Sequence, residues 1–275
     1  MQTVRVKMPL RGAPVAPLDP ALVAPMSTAA RPELTGGRRI GVLVQHGFTG
    51  NPASMRPWAE DLAARGYAVE MPLLPGHGTR WQDLNKVTWA DWVATVEGAY
   101  EKLAAENDEV VAVGLSMGGA LCLRLAADKG DALAGICLVN PAVDSLRKDV
   151  RLLPVLKHIV PSFPGIANDI KKPGADEHGY PTTPLRAAAS MFAGLAELRK
   201  DLPKVTVPVL FFRSAEDHVV DISSSRALNA TLSSKDFEER VLDNSFHVAT
   251  LDNDAPRIFT ESAEFIERVT QRRQG

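Results

Sequence analysis

Residues 111–123 read VAVGLSMGGALCL, and this stretch decides the fold. A β-rich run, Glu109 to Leu115, leads into Ser116, and Met117 to Ala127 reads as a helix. The serine therefore stands on a strand-to-helix turn, with Gly114 two residues before it and Gly118 two after. A nucleophile on such a strained turn needs very small flanking residues, so that strand and helix can approach each other. The helix N-terminus behind it adds partial positive charge where an oxyanion would develop. In a chain with 20 glycines the pentapeptide alone carries little weight. Its strand–turn–helix setting argues for a nucleophile over a glycine-rich bend that merely holds a hydrogen-bonding serine.

The pattern repeats outward from this turn. Ile40 to Gln45, Tyr67 to Leu73, Leu133 to Val139 and Val207 to Arg213 are short, almost wholly apolar runs, and Glu238 to Leu242 is a shorter one. Helical periods separate them: Ser54 to Arg65 with Met55, Trp58 and Leu62 on one face, then Trp89 to Ala105 through Trp92, Val96, Tyr100 and Leu103. Ala255 to Thr270 reads as a closing helix. Apolar strands alternating with helices predict an α/β fold whose parallel sheet is covered on both faces.

Two regions break the rhythm. Residues 1–37 are rich in proline and alanine and predict an extended N-terminal arm. Residues 141–202 are too long for a simple crossover and hold an alanine-rich helix (LRAAASMFAGLAEL). They predict a helical cap inserted over the C-terminal edge of the sheet, in a core made of residues 38–140 and 203–275.

With 45% hydrophobic and 23% charged residues, the composition is that of a globular protein with a sizeable core. A net charge of −2 gives no reason to expect a nucleic-acid partner or an anionic membrane. No stretch approaches eighteen uninterrupted apolar residues, and prolines break up the N-terminus where a signal peptide would need an apolar core. A cytoplasmic protein, monomer or homodimer, is the expectation. Cys122 and Cys137 sit in apolar runs and read as buried thiols. The scattered histidines, with no H-E-x-x-H and no paired C-x-x-C, predict no metal. The absence of G-x-G-x-x-G after the first strand and of a Walker sequence predicts no nucleotide cofactor.

A serine nucleophile needs a base and an orienting acid. Of the six histidines, His218 and His247 follow the insertion. His247 lies in a polar loop between the last short strand and the final helix, where its ring can reach over the sheet edge to Ser116. His218 reads as an ordinary loop histidine. For the acid, Glu216, Asp217 and Asp221 compete on the loop after the Val207–Arg213 strand. Asp217 is preferred because the short Ala-Glu-Asp-His-Val-Val loop turns its carboxylate back to the sheet edge; Asp221 is the rival. The backbone amides of Met117 and Phe48, the latter on the His46-Gly47-Phe48 loop, are the candidate oxyanion donors. His46 and His77 read as loop anchors.

At these residues the chain resembles the α/β-hydrolase superfamily, and within it the bacterial carboxylesterase and monoacylglycerol lipase group. The pieces that carry the likeness are Val44–Asn51 (VQHGFTGN), Gly76-His77-Gly78, Gly114–Gly119 (GLSMGG), Asp91-Trp92 with Tyr100, and Phe246–Asp252 (FHVATLD). The resemblance implies hydrolysis of carboxylic esters through an acyl-enzyme on Ser116, without a cofactor, with Phe48, Val219 and Val248 lining the acyl pocket. A C–C bond hydrolase, an acyltransferase, or an idle hydrolase fold that binds a hydrophobic ligand remain alternatives. An aspartate in place of Ser116 would have indicated dehalogenase or epoxide hydrolase chemistry, and a cysteine that of a dienelactone hydrolase.

Overall fold

Seven strands form one sheet in the computed structural model, which describes residues 19–271. They are β1 (Met26–Thr28), β2 (Ile40–Gln45), β3 (Ala68–Met71), β4 (Glu109–Leu115), β5 (Gly135–Val139), β8 (Val209–Ser214) and β9 (Phe237–Leu242). Their order across the sheet is β1-β3-β2-β4-β5-β8-β9. All neighbours are parallel except the pair β1 and β3. The remaining two strands, β6 (Ser162–Pro164) and β7 (Thr182–Pro184), make a separate antiparallel pair in the insertion.

The helices are α1 (Pro20–Val23), α2 (Arg56–Ala64), α3 (Trp81–Leu84), α4 (Trp89–Glu106), α5 (Met117–Lys129), α6 (Leu153–Leu156), α7 (Leu185–Asp201), α8 (Ile222–Thr231) and α9 (Ala255–Gln271). The central strands are buried on both faces, which is why they read as unbroken apolar runs. One core joins α4 and α5 to the sheet through Trp92, Leu103, Leu121 and Ile136; the other joins α2 and α9 through Trp58, Leu62, Ile258 and Ile266. Each such fully buried aliphatic side chain contributes about 1.5–3 kcal/mol. A capping box starts α4, with the Thr88 amide donating to Asp91 Oδ2 at 2.8 Å.

The N-terminal arm lies outside the described residues as far as residue 18. From there it is not bare: Met26, Ser27 and Thr28 pair with Met71, Glu70 and Val69 as an edge strand. Three residues are too few for a period to show in sequence. Helix α8 also escaped the pattern, because its Ser223-Ser224-Ser225 run has poor helix propensity. Its signal is Asp221, whose side chain accepts from the Ser223 amide at 2.9 Å as an N-cap.

Residues 140–208 connect β5 to β8. The inner face of α7 (Ala187, Met191, Leu195, Leu198) shares the α4/α5 core, whereas α6 packs on α7 in a small cluster of Leu153, Leu185 and Ala188. The insertion is thus fused to the main core along α7.

Candidate active site

Strand β4 delivers Ser116 to the start of α5 with φ 57° and ψ −120°. A non-glycine residue in that region costs roughly 1–3 kcal/mol and persists only where its surroundings over-determine it. They do so here: the Ser116 amide donates to Val139 O at 3.0 Å, and its carbonyl accepts from Ala120 and Ala142, each at 3.1 Å. The flanking glycines are required by contact. A Cβ on Gly114 would lie 2.5 Å from the Gly118 carbonyl, and one on Gly118 would lie 2.2 Å from Gln45 O.

Strands β8 and β9 carry the other two candidates to the same end of the sheet. Asp217 Oδ2 lies 2.8 Å from His247 Nδ1, with both side chains under one-tenth exposed. The Val219 and Val220 amides donate to Asp217 Oδ1, each at 2.8 Å, and fix the carboxylate. Burial pushes the Asp217 pKa up, but the charge and hydrogen bond of His247 with those two amides bring it below the usual carboxylate value. Burial opposes the charge on His247, yet the carboxylates of Asp217, Glu177 and Asp169 prevail and raise its pKa above that of a free histidine. The rival acid, Asp221, is occupied as the cap of α8. Glu216 reaches the exposed ring of His218, 3.3 Å from Nε2.

A buried polar cluster sets the loop that bears His247. Asn140 Nδ2 donates to the His247 carbonyl at 2.8 Å and to Ser214 Oγ at 2.9 Å. Ser214 Oγ donates in turn to Phe246 O at 2.8 Å. The ends of β5, β8 and β9 are thereby joined at the candidate base.

The third loop follows β2. His46 Nδ1 lies 3.0 Å from Gly47 O, and Nε2 accepts from the Leu74 amide at 3.1 Å. These partners require a neutral ring with its proton on Nδ1, and burial lowers the pKa to about 4 in agreement. A trans peptide directs the Phe48 N–H opposite to Gly47 O, so the His46 bond also sets the direction of that amide. His77, 1% exposed, bridges His46, Phe48 and Trp92 with edge-on ring contacts.

Ser116, His247 and Phe48 open onto one cleft. Helix α7 presents Ala188, Met191, Phe192 and Leu195 to it from a single face, and Val219 and Val248 also border it. Its polar groups include Thr49, Ser54, Asp169 and Glu177. Sequence reasoning did not single out Asp169, Glu177 or the α7 residues, because they lie in the insertion, where no motif or period marks them. Glu177 is held by Asn168 in a reciprocal pair, amide to side chain in both directions, at 2.8 and 2.9 Å. Among the described residues no group of three or more His, Cys, Asp or Glu side chains could hold a metal ion. Nor is any helix among them long and apolar enough to cross a membrane.

A parallel sheet with a serine on a tight elbow, and an aspartate–histidine pair on the loops beyond β8 and β9, defines an α/β-hydrolase. Residues 37–254 match the family described as serine aminopeptidase, S33, and the chain belongs to that family. It is 37% identical over 251 residues to the thermostable monoacylglycerol lipase of Bacillus sp. (strain H-257), covering 89% of this chain and 97% of that one. It is 26% identical over 231 residues to the carboxylesterase of Bacillus subtilis (strain 168), covering 83% and 92%. Among solved structures, one described under LipS and LipT, two metagenome-derived lipolytic enzymes, superposes with a TM-score of 0.84 at 38% identity. That match covers 90% of this chain and 98% of the other. The chain is a serine hydrolase of carboxylic esters.

Proposed function

We propose that the substrates are monoacylglycerols and related esters of one apolar acyl chain, cleaved through an acyl-enzyme on Ser116. The observation that carries this reading is the 2.8 Å Asp217–His247 pair, whose histidine borders the cleft that also holds Ser116 on its strained turn. His247 takes the Ser116 proton as the hydroxyl attacks the ester carbonyl, and Asp217 holds the imidazolium without accepting the proton itself. The amides of Phe48 and Met117 receive the tetrahedral oxyanion, each worth about 3 kcal/mol. His247 then protonates the departing alcohol, and a water repeats the sequence to release the acid. The α7 face with Phe48, Val219 and Val248 takes the acyl chain. Thr49, Ser54 and Glu177 offer hydroxyls and a carboxylate to a polyhydroxylated leaving group. No cofactor is needed for these steps. Two unbridged, buried cysteines fit work in the cytoplasm.

The test is a chain-length series of monoacylglycerols and p-nitrophenyl esters beside amino-acid p-nitroanilides, with mapping of a fluorophosphonate adduct. Monoacylglycerol turnover with the label on Ser116 is expected. Labelling elsewhere, or anilide turnover without ester turnover, would overturn the proposal. Labelling of Ser116 with no turnover of any ester would point to a C–C bond hydrolase or an acyltransferase.

A further inference from the structure

One largely buried carboxylate from the insertion touches both loops of the proposed acid–base pair, and the mechanism above gives it no task. The Asp169 side chain is 9% exposed. Its Oδ2 accepts from the His247 amide at 3.1 Å and from the His218 amide at 3.2 Å. Its Oδ1 lies 2.7 Å from His218 Nδ1, and its carbonyl accepts from the Val248 amide at 3.1 Å. His218 is the residue after Asp217 and His247 is the base, so one side chain spans the loop after β8 and the loop after β9. The same segment is held a second time. The Lys171 and Lys172 amides donate to Asp252 at 2.7 and 2.9 Å, and Asp252 Oδ2 also accepts from the Phe246 amide at 2.9 Å.

Each strand end brings its own loop, and the Asp217–His247 distance depends on how the two loops sit relative to each other. Asp169 bonds to both, on the wall of the cleft that contains Ser116. We propose that Asp169 is a positioning residue for ester hydrolysis, holding the acid and base loops in register and adding its negative charge to those of Asp217 and Glu177 near the imidazolium of His247. This rests on the reading of Ser116, Asp217 and His247 as the catalytic residues.

The charged groups around this pair come from three segments. His247 is faced by Asp217 from the loop after β8 and by Asp169 and Glu177 from the insertion. His218 is faced by Asp169 and, on its other nitrogen, by Glu216; its ring stands edge-on to Phe246, 4.8 Å between centroids. Lys171 Nζ sits over the Phe246 ring at 5.6 Å. The hydrogen bond to Asp169, followed by its charge, raises the His218 pKa. Protonated His218 thus makes an ion pair with Asp169, and neutral His218 still donates through Nδ1.

The discriminating variants are Asp169→Asn, which keeps the shape and removes the charge, and His218→Ala at a half-exposed position. Kinetics on a p-nitrophenyl ester between about pH 5 and 9, with fluorophosphonate labelling and thermal melts alongside, supply the readouts. Asp169→Asn is expected to lower kcat about tenfold with KM nearly unchanged, since misplaced catalytic groups lose rate more than binding. Its acidic limb of kcat/KM moves to lower pH, because a lost neighbouring negative charge destabilises the imidazolium. His218→Ala is expected to fold, to lower kcat about threefold, and to move the limb the opposite way, to higher pH, because losing the neighbouring cation leaves the Asp169 charge unpaired beside the imidazolium. A folded Asp169→Asn protein with an unmoved limb, or one whose loss lies wholly in KM, would overturn the proposal. If Asp169→Asn does not fold, an unchanged limb and kcat in His218→Ala overturn it equally. Wild-type protein that fails to label at Ser116 would instead sink the catalytic assignment on which this inference rests.

Discussion

Ser116 holds a backbone conformation that serine avoids, and the residues around it show how the strain is contained. Gly114 and Gly118 leave room for the close approach of β4, α5 and the end of β2. A methyl group on Gly118 meets the carbonyl of Gln45, a backbone group of β2, paired between β3 and β4, that has nowhere to move. Gly118→Ala is therefore expected to destabilise by more than about 3 kcal/mol, at the upper end of overpacking costs, with loss of soluble protein or a sharply lowered denaturation midpoint. A melt like that of the wild type would refute the contact argument. The Asp217–His247 pair makes a separate prediction. With His247 as the proposed base, its raised pKa is expected to put the acidic limb of kcat/KM above 6.5, the ordinary histidine value. Asp217→Asn removes the first carboxylate that raises it, so the limb should fall to lower pH while kcat drops by several orders of magnitude. A limb that stays in place after that change would detach the profile from His247.

At the scale of elements, the insertion owes its position to helix α7, which lies against α4 and α5. Trp89, the first residue of α4, packs on the bare backbone of α7 at Gly194, where a Cβ would fall 2.3 Å from the indole ring. The Trp89 amide donates to Ser190 Oγ, one turn earlier on α7, at 3.0 Å. Alanine is the better helix former by about 1 kcal/mol. Overpacking against a ring held in this way costs about 1–3 kcal/mol, so the clash outweighs the propensity. Gly194→Ala should lower the melting temperature and, by shifting the α7 face that lines the cleft, alter KM for long acyl chains more than for short ones. A stabilised variant with unchanged chain-length preference would show that the helix absorbs the methyl group. Helix α7 was legible as an alanine-rich period. Its role as a cleft wall was not, because a face shared with α4 and α5 looks in sequence like any other amphipathic face.

Over the whole molecule, charge and burial set the response to pH. His46 is fully buried and neutral, with a pKa lowered from 6.5 to about 4. His77 is shifted the same way, by burial first and then by the neighbouring His46. A histidine whose folded pKa is depressed stabilises the protein above its unfolded value and loses that contribution as pH falls towards the folded value. For His46 the gap of about 2.5 units is worth about 3 kcal/mol, lost between roughly pH 6.5 and 4. His247 and His218 have raised pKa values and act in the opposite sense, contributing below 6.5 and losing their effect as pH rises through the folded value. Urea unfolding of wild type and His46→Gln at about pH 7.5 and 4.5 isolates the His46 share. The wild type should lose about 2.5 kcal/mol more than the variant between the two pH values. Equal losses would show that His46 is not the group responsible.

Much of this architecture is determined by local pattern alone. The apolar runs of β2, β4, β5 and β8, the glycines beside Ser116 and the periods of α4, α5 and α9 act over a few neighbouring residues, where two- and 3.6-residue repeats and steric size are decisive. The loop positions of Asp217 and His247 follow from the same alternation, since each comes just after a strand. The loop after β8 already favoured Asp217 over Asp221 by its shape; what local pattern could not decide was the partner each carboxylate finds and the use of the insertion. Asp217 and Asp221 differ in sequence by four positions on one loop; only the folded chain gives one to His247 and the other to the start of α8. His218, Asp169 and Glu177 were plain polar loop residues until chain segments distant in sequence were brought to the same strand ends. Burial and partnership arise from contacts between such segments, so they belong to the tertiary structure.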